Sequence, residues 1–221
     1  MFSIASATNL PRPARRPSVW LGVAVGLWAI GVLAGLGSLW SYALRPGAET
    51  AAPKAWPQAS GLARVPGRWT LVMFLHPRCP CSRASLAELD KLLARSSGVL
   101  QGWIVAVRPS GTHPDWPHTA AMRRASALTG TQTIVDDGGR LAGQFQARTS
   151  GETFLYHPAG QLVFHGGLTP ARGHEGDNPG SEAILAYLRG RWGSSITTTP
   201  VFGCPLLESH TPSLAAARKP P

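Results

Sequence analysis

Charge is scarce in this chain. Only 14% of its 221 residues are Asp, Glu, Lys or Arg, and 11 acidic residues face 21 basic ones, for a formal net charge of +10. Such an excess invites nucleic acid, but the arginines are scattered and no zinc-finger or RNP-like motif is present, so no nucleic-acid partner is expected. Cysteine is scarcer still. There are three, at 79, 81 and 204. An odd number leaves at least one thiol free or paired with another molecule, unless all three bind a metal.

Charge is absent altogether from Pro17 to Leu44. Val19 to Trp40 is apolar or glycine apart from Ser38, and about 20 such residues span a bilayer. Arg12, Arg15 and Arg16 precede the run with no acidic residue, whereas only Arg45 follows before Glu49. The positive-inside rule therefore places the N-terminus in the cytoplasm and the rest of the chain outside. The run exceeds a signal-peptide core and no A-x-A site closes it, which favours an uncleaved anchor. Trp20 and Trp40 lie near its two ends, where an aromatic belt sits. The expected divisions are a basic tail at 1–17, the anchor at 18–44, a Pro/Ala-rich linker at 45–66, a folded domain at 67–193 and an extended tail at 194–221.

Within the domain, hydrophobic periodicity alternates between strand and helix. Trp69 to Leu75 suits a buried strand. Ala84, Leu86, Leu89, Leu92 and Leu93 recur at helical spacing, which predicts a helix over Ser82 to Arg95, with Ser82 or Ser85 as cap and Ser85 with Glu88 as a capping box. A strand at Val99 to Val107, a helix at Thr119 to Leu128, a short strand at Gln132 to Val135 and a helical turn at Leu141 to Gln146 follow. Thr153 to Tyr156 and Leu162 to His165 read as a hairpin about Pro158-Ala-Gly160, and Ser181 to Trp192 as a last helix. Strand, helix, strand in succession implies a parallel βαβ unit, to which the hairpin adds antiparallel strands, an α/β class.

The pattern turns on Leu71 to Ser85, an apolar run that ends in Cys79-Pro80-Cys81 and enters a helix. Amides at a helix start stabilise a thiolate, the reactive form of cysteine. Two buried structural cysteines or a static disulfide remain the plain alternative. The strand, the cysteine corner, the helix and the late hairpin resemble the thioredoxin-like superfamily, in particular its membrane-anchored TlpA-type members. His76-Pro-Arg-Cys-Pro-Cys-Ser-Arg-Ala-Ser-Leu-Ala-Glu-Leu89, Ala147-Arg-Thr-Ser-Gly151 and Gly166 to Asn178 are similar to RedB-like proteins.

The resemblance implies a thioredoxin-like mixed sheet flanked by helices, and a thiol-disulfide oxidoreductase in the bacterial inner membrane with its domain in the periplasm. Its substrates would be protein thiols or disulfides, with a possible membrane electron-transfer partner. Cys79 is expected to attack, helped by Arg78 and the helix start, and Cys81 is the first candidate to resolve. Strain in a ring closed across Pro80 would make that pair oxidising. Cys204 is either a second resolving thiol on a mobile tail or a stapling disulfide to the corner. If Cys79 takes the nucleophile's place, Ser82 stands where a thioredoxin has its second cysteine; if Cys81 takes that second place, Arg78 stands at the nucleophile. Aligning Thr153 to Leu155 with the next strand places Glu152, or Gly151 if the register slips by one, where such a protein has a cis-proline that pairs with substrate, and Ser150 beside them is a supporting residue.

Copper is the alternative cofactor. His76, Cys79, Cys81 and Cys204 offer soft ligands suited to Cu(I), in a layout related to Sco-type copper chaperones. The Arg172 to Asn178 loop could bring His174 to the site as a base, oriented by Glu175 or Asp177. A non-catalytic binding module is the third reading.

Overall fold

The computed structural model describes residues 19–48, 51–96, 98–191 and 196–207. They form two compact units that divide after Tyr42. The first is helix α1 (Val19–Ala43). Its 25 residues carry no charge and none is buried. At 1.5 Å per residue the helix is about 37 Å long, so it is long and apolar enough to cross a membrane. The basic tail at 1–17 lies outside the described residues.

The second unit is a five-stranded mixed sheet in the order β3-β2-β1-β4-β5. Its elements are β1 (Trp69–Leu75), α2 (Ser82–Arg95), β2 (Leu100–Arg108), α3 (Ala120–Ala127), β3 (Thr131–Asp137), α4 (Arg140–Phe145), β4 (Glu152–Tyr156), β5 (Leu162–Gly166) and α5 (Pro179–Leu188). β1, β2 and β3 are parallel, β4 is antiparallel to β1 and β5 is antiparallel to β4. This is the expected thioredoxin-like α/β fold.

β1 is central, and its apolar run from Leu71 to Leu75 follows from burial on both faces. Alternate side chains enter opposite cores. Leu71, Met73 and Leu75 pack with Leu86 and Leu89 of α2, Met122 of α3 and Ile184 of α5. Val72 and Phe74 face Phe145 of α4, Phe154 and Tyr156. Central placement brings the C-terminal end of β1, and the cysteines after it, between β2 and β4.

Four sequence expectations require correction. The linker is part of the domain: Trp56 and Leu62 are buried in the second core, Ala55 bridges Gln161, and Trp103 Nε1 donates to the Ala63 carbonyl at 3.0 Å. Its prolines stop helices, but they do not prevent an extended segment from packing. Residues 196–207 of the expected mobile tail are also seated. His165 N donates to the Thr197 carbonyl at 3.0 Å and Leu206 N to the Arg148 carbonyl at 2.8 Å.

Neither serine caps α2. The cap is Cys81, in a helical conformation with no side-chain cap bond, while Ser82 Oγ turns back to the His76 carbonyl at 3.1 Å. Glu88 forms no capping box because its carboxylate accepts from Gly176 N and Asn178 Nδ2, at 2.8 and 3.3 Å. Finally, α5 starts at Pro179 because Asn178 caps it by accepting from Ser181 N. It ends at Leu188, and Trp192 lies outside the described residues.

Candidate thiol site

The corner after β1 folds on its own backbone. Cys79 N donates to the His76 carbonyl at 3.0 Å and Ser82 N to the Cys79 carbonyl at 3.1 Å, which turns the chain into α2. Pro80 projects into solvent, whereas Cys79 and Cys81 are buried. Thr119 Oγ1, at the cap of α3, holds the Pro77 carbonyl at 3.0 Å.

Cys204 comes to this corner from the far end of the chain, and its Sγ lies 3.0 Å from Cys79 Sγ. The Cys79 thiol is pushed up by burial, but hydrogen bonds from the Cys204 thiol, from the Cys204 and Cys81 backbone and from the Cys81 thiol outweigh this and bring it below its ordinary range. Cys81 is raised by burial first, then by the charge on Cys79 and the hydrogen bond to it. Cys204 is pushed up to about 12 by burial, by its bond to Cys79 and by the charges of the other two sulfurs. Of the three thiols Cys79 therefore loses its proton first, with the Cys204 thiol as its donor.

This has a direct test. In the reduced protein, alkylation of Cys79 should continue as pH falls below the ordinary thiol range and decline only through its lowered pKa. Cys204→Ala, which removes the S–H donor, should move the midpoint of that profile upward. An unshifted midpoint, read by mass spectrometry of quenched samples, would mean that Cys204 does not hold the thiolate.

Two of the expected helpers, Arg78 and His174, turn elsewhere. Arg78 directs its guanidinium over the Trp116 ring, 5.1 Å from the centroid, and donates from Nε to the Trp116 carbonyl at 3.4 Å. Arg172 is the cation that favours charge on Cys81 and Cys204, and its Nη1 donates to the Gly203 carbonyl at 2.6 Å. His174, expected as a base, is exposed with its ring against the Arg172 carbonyl at 2.8 Å. Glu175 pairs instead with Lys91 at 3.3 Å. Asp177 is exposed. Arg172 was hard to find from sequence because its role depends on a partner strand outside its own loop.

The loop before β4 closes the site. Ser150 Oγ accepts from His76 N at 2.9 Å and meets Ser82 Oγ at 3.0 Å, so the hydroxyl at the expected second-cysteine position serves packing. Gly151 has φ 92°, a conformation that favours glycine, and donates to the Phe74 carbonyl at 2.8 Å. Among the described residues no peptide bond is cis. Glu152, fully buried, accepts from Arg148 N and Thr149 N at 2.7 and 3.0 Å and pairs with His165 Nε2 at 2.7 Å. That pair borders a cavity of about 360 Å³ whose lining includes no cysteine.

The copper set is not assembled. His76 Nδ1 accepts from Arg78 N at 3.3 Å, and among the described residues no three His, Cys, Asp or Glu side chains are arranged to hold a metal ion.

No protein-family model and no curated protein sequence matches the chain. Solved structures do. An uncharacterized conserved protein from Geobacillus kaustophilus is similar at 18% identity and a TM-score of 0.54, over 76% of this chain and 94% of that one. A hypothetical protein from Sinorhizobium meliloti is similar at 21% identity and a TM-score of 0.53, over 73% and 93%. A secreted disulfide oxidoreductase of Mycobacterium tuberculosis aligns at 13% identity and a TM-score of 0.39, over 57% and 83%. Identities of this order speak to the fold alone.

Proposed function

We propose that this chain is a membrane-anchored, extracytoplasmic thiol-disulfide oxidoreductase in which Cys79 attacks and Cys204 resolves. The observation that carries the reading is the 3.0 Å approach of the Cys79 and Cys204 sulfurs, with the charge on Cys79 and the proton on Cys204. The Cys79 thiolate attacks one sulfur of a substrate disulfide, forms a mixed disulfide and expels the other sulfur as a thiolate. Cys204, on losing its proton, attacks Cys79 Sγ. The Cys79–Cys204 disulfide forms, the second substrate thiolate leaves, and two electrons have passed to the substrate. Arg172 favours the Cys204 thiolate during this step. The reverse sequence oxidises a dithiol. A dithiol membrane partner would return electrons in the first direction, and a disulfide reoxidant would accept them in the second.

Cys81 serves better as a donor to Cys79 than as the resolving thiol, because a ring closed across one residue is strained. Arg12, Arg15 and Arg16 before the apolar helix support a cytoplasmic N-terminus and an external domain, periplasmic in the bacterial inner membrane.

The test is trapping by a small disulfide, followed by mass spectrometry. The wild-type chain should end with Cys79 joined to Cys204. Cys204→Ser should hold the mixed disulfide on Cys79, whereas Cys81→Ser should still release it. Trapping in Cys81→Ser alone would return the resolving role to Cys81. Stoichiometric copper lost in Cys79→Ser, with no exchange on any disulfide, would replace the enzyme with a copper carrier.

A further inference from the structure

The loop after β5 contributes one arginine to the thiol site. Arg172 Nη1 donates to the carbonyl of Gly203, the residue before Cys204, at 2.6 Å. Its Nε donates to the Arg45 carbonyl at 3.1 Å, and its own amide to the Ala43 carbonyl at 3.0 Å. A guanidinium carries its N–H groups in a fixed fork, so one side chain holds two carbonyls at set positions, which the point charge of a lysine does not. Arg172 thereby joins residues 43–45, the first of the second unit, to the peptide that carries the resolving thiol.

The joined segments meet again two residues further on. Gly47 N donates to the Val201 carbonyl at 2.8 Å, and an added Cβ on Gly47 would collide with the Thr149 side chain. Thr149 is buried and bridges Pro205, so it has little room to move aside. Beyond these contacts the segments part around the cavity of about 360 Å³, with Pro46, Gly47 and Ala48 on one side and Thr198 to Val201 on the other. Close packing does not fix their spacing where the cavity opens, so hydrogen bonds must.

We infer that Arg172 is a positioning residue of the resolving step, which locks Gly203, and with it Cys204, to residues 43–47, so that the stretch following α1 is a part of the thiol site as well as a tether. The inference rests on the exchange chemistry proposed above. In the mixed disulfide Cys79 carries no charge, and Cys204 must lose its proton to attack it. The charge of Arg172 favours that loss, and its fork keeps the Cys204 sulfur close to Cys79 Sγ, 3.0 Å away in the reduced site. Such orientation accounts for much of the rate of an intramolecular displacement. Charge and geometry, two roles of one side chain, are separable by substitution.

Full-length Arg172→Lys and Arg172→Gln in detergent, equilibrated in glutathione buffers and quenched for mass spectrometry, report the effective concentration of Cys204 at Cys79. Both should lower it about tenfold, because each gives up the bonds to the Gly203 and Arg45 carbonyls. For this two-electron couple that is about 30 mV. Gly47→Val, which leaves Arg172 intact but forces residue 47 off Thr149, should lower it as well. The pH profile of resolution then isolates the charge. Arg172→Gln should move its midpoint upward, whereas Arg172→Lys should keep it near wild type while the effective concentration stays low. An unchanged effective concentration in Arg172→Gln or in Gly47→Val, or a midpoint that moves equally in Arg172→Lys, overturns the inference. Should Arg172→Gln not fold, the same criterion applies to Arg172→Lys. A wild-type chain that forms no Cys79–Cys204 disulfide sinks the oxidoreductase reading, and the seat is then read by alkylation of Cys204 in the reduced chain, which Gly47→Val should accelerate. A disulfide that forms with the same effective concentration in every chain sinks this inference alone.

Discussion

Glu152→Ala is expected to destabilise the domain by about 3–5 kcal/mol, because two amides lose their buried acceptor, at about 1–3 kcal/mol each. The carboxylate is fully buried. Its loss strands Arg148 N and Thr149 N, which it accepts at 2.7 and 3.0 Å, and leaves His165, stacked on Phe154 at 4.8 Å between centroids, without its 2.7 Å partner. For a chain of this size each kcal/mol is worth about 2–4 °C, so the melting midpoint of the full-length protein in detergent should fall by about 6–20 °C. Glu152→Gln keeps a carbonyl acceptor for the two amides and should lose less. Because the same loop holds Cys204, Glu152→Ala should also slow formation of the Cys79–Cys204 disulfide. A melting midpoint within a degree or two of wild type would show that the pair carries no net stability.

Trp56→Ala is expected to cost a similar amount, about 3–5 kcal/mol, as large-to-small substitutions of buried aromatics do. Trp56 packs edge-on to Phe145 and Tyr156 with centroids at 5.5 and 5.1 Å. Its amide donates to the Gly160 carbonyl at 2.8 Å, and the Arg64 guanidinium covers its ring at 5.6 Å. Truncation would leave a cavity among rigid rings that cannot close around it. If residues 51–66 were only a tether, the substitution would leave the melting midpoint unchanged. Thermal denaturation of the full chain separates the two cases.

Both residues show why parts of the molecule resisted reading. Trp56 sits among prolines and alanines with no strand or helix period, and nothing local marks it as core. It is buried because an extended segment can satisfy its backbone against the hairpin, as Leu162 N does with the Lys54 carbonyl at 2.8 Å. Glu152 was legible as an oddity at the expected cis-proline position. That it organises the loop depends on His165, a residue of the neighbouring strand whose alternation alone reads as an ordinary hairpin position. Arg78 was read as the cation for Cys79 because it is adjacent in sequence, yet Trp116 competes for its guanidinium across the domain.

By itself, the sequence determined the features that depend on neighbours a few residues apart: an uncharged segment of membrane-spanning length, the alternation of strand and helix that makes a thioredoxin-like sheet, and a cysteine corner where β1 enters α2. These follow from periodicity and from the absence of charge, which a linear reading measures directly. Only the tertiary structure decided what that corner contains. The approach of Cys204 to Cys79 spans 125 residues, and it is held where residues 204 and 206 satisfy Ser150 N and the Arg148 carbonyl. Which segment satisfies them is a matter of three-dimensional register, which spacing along the chain does not encode.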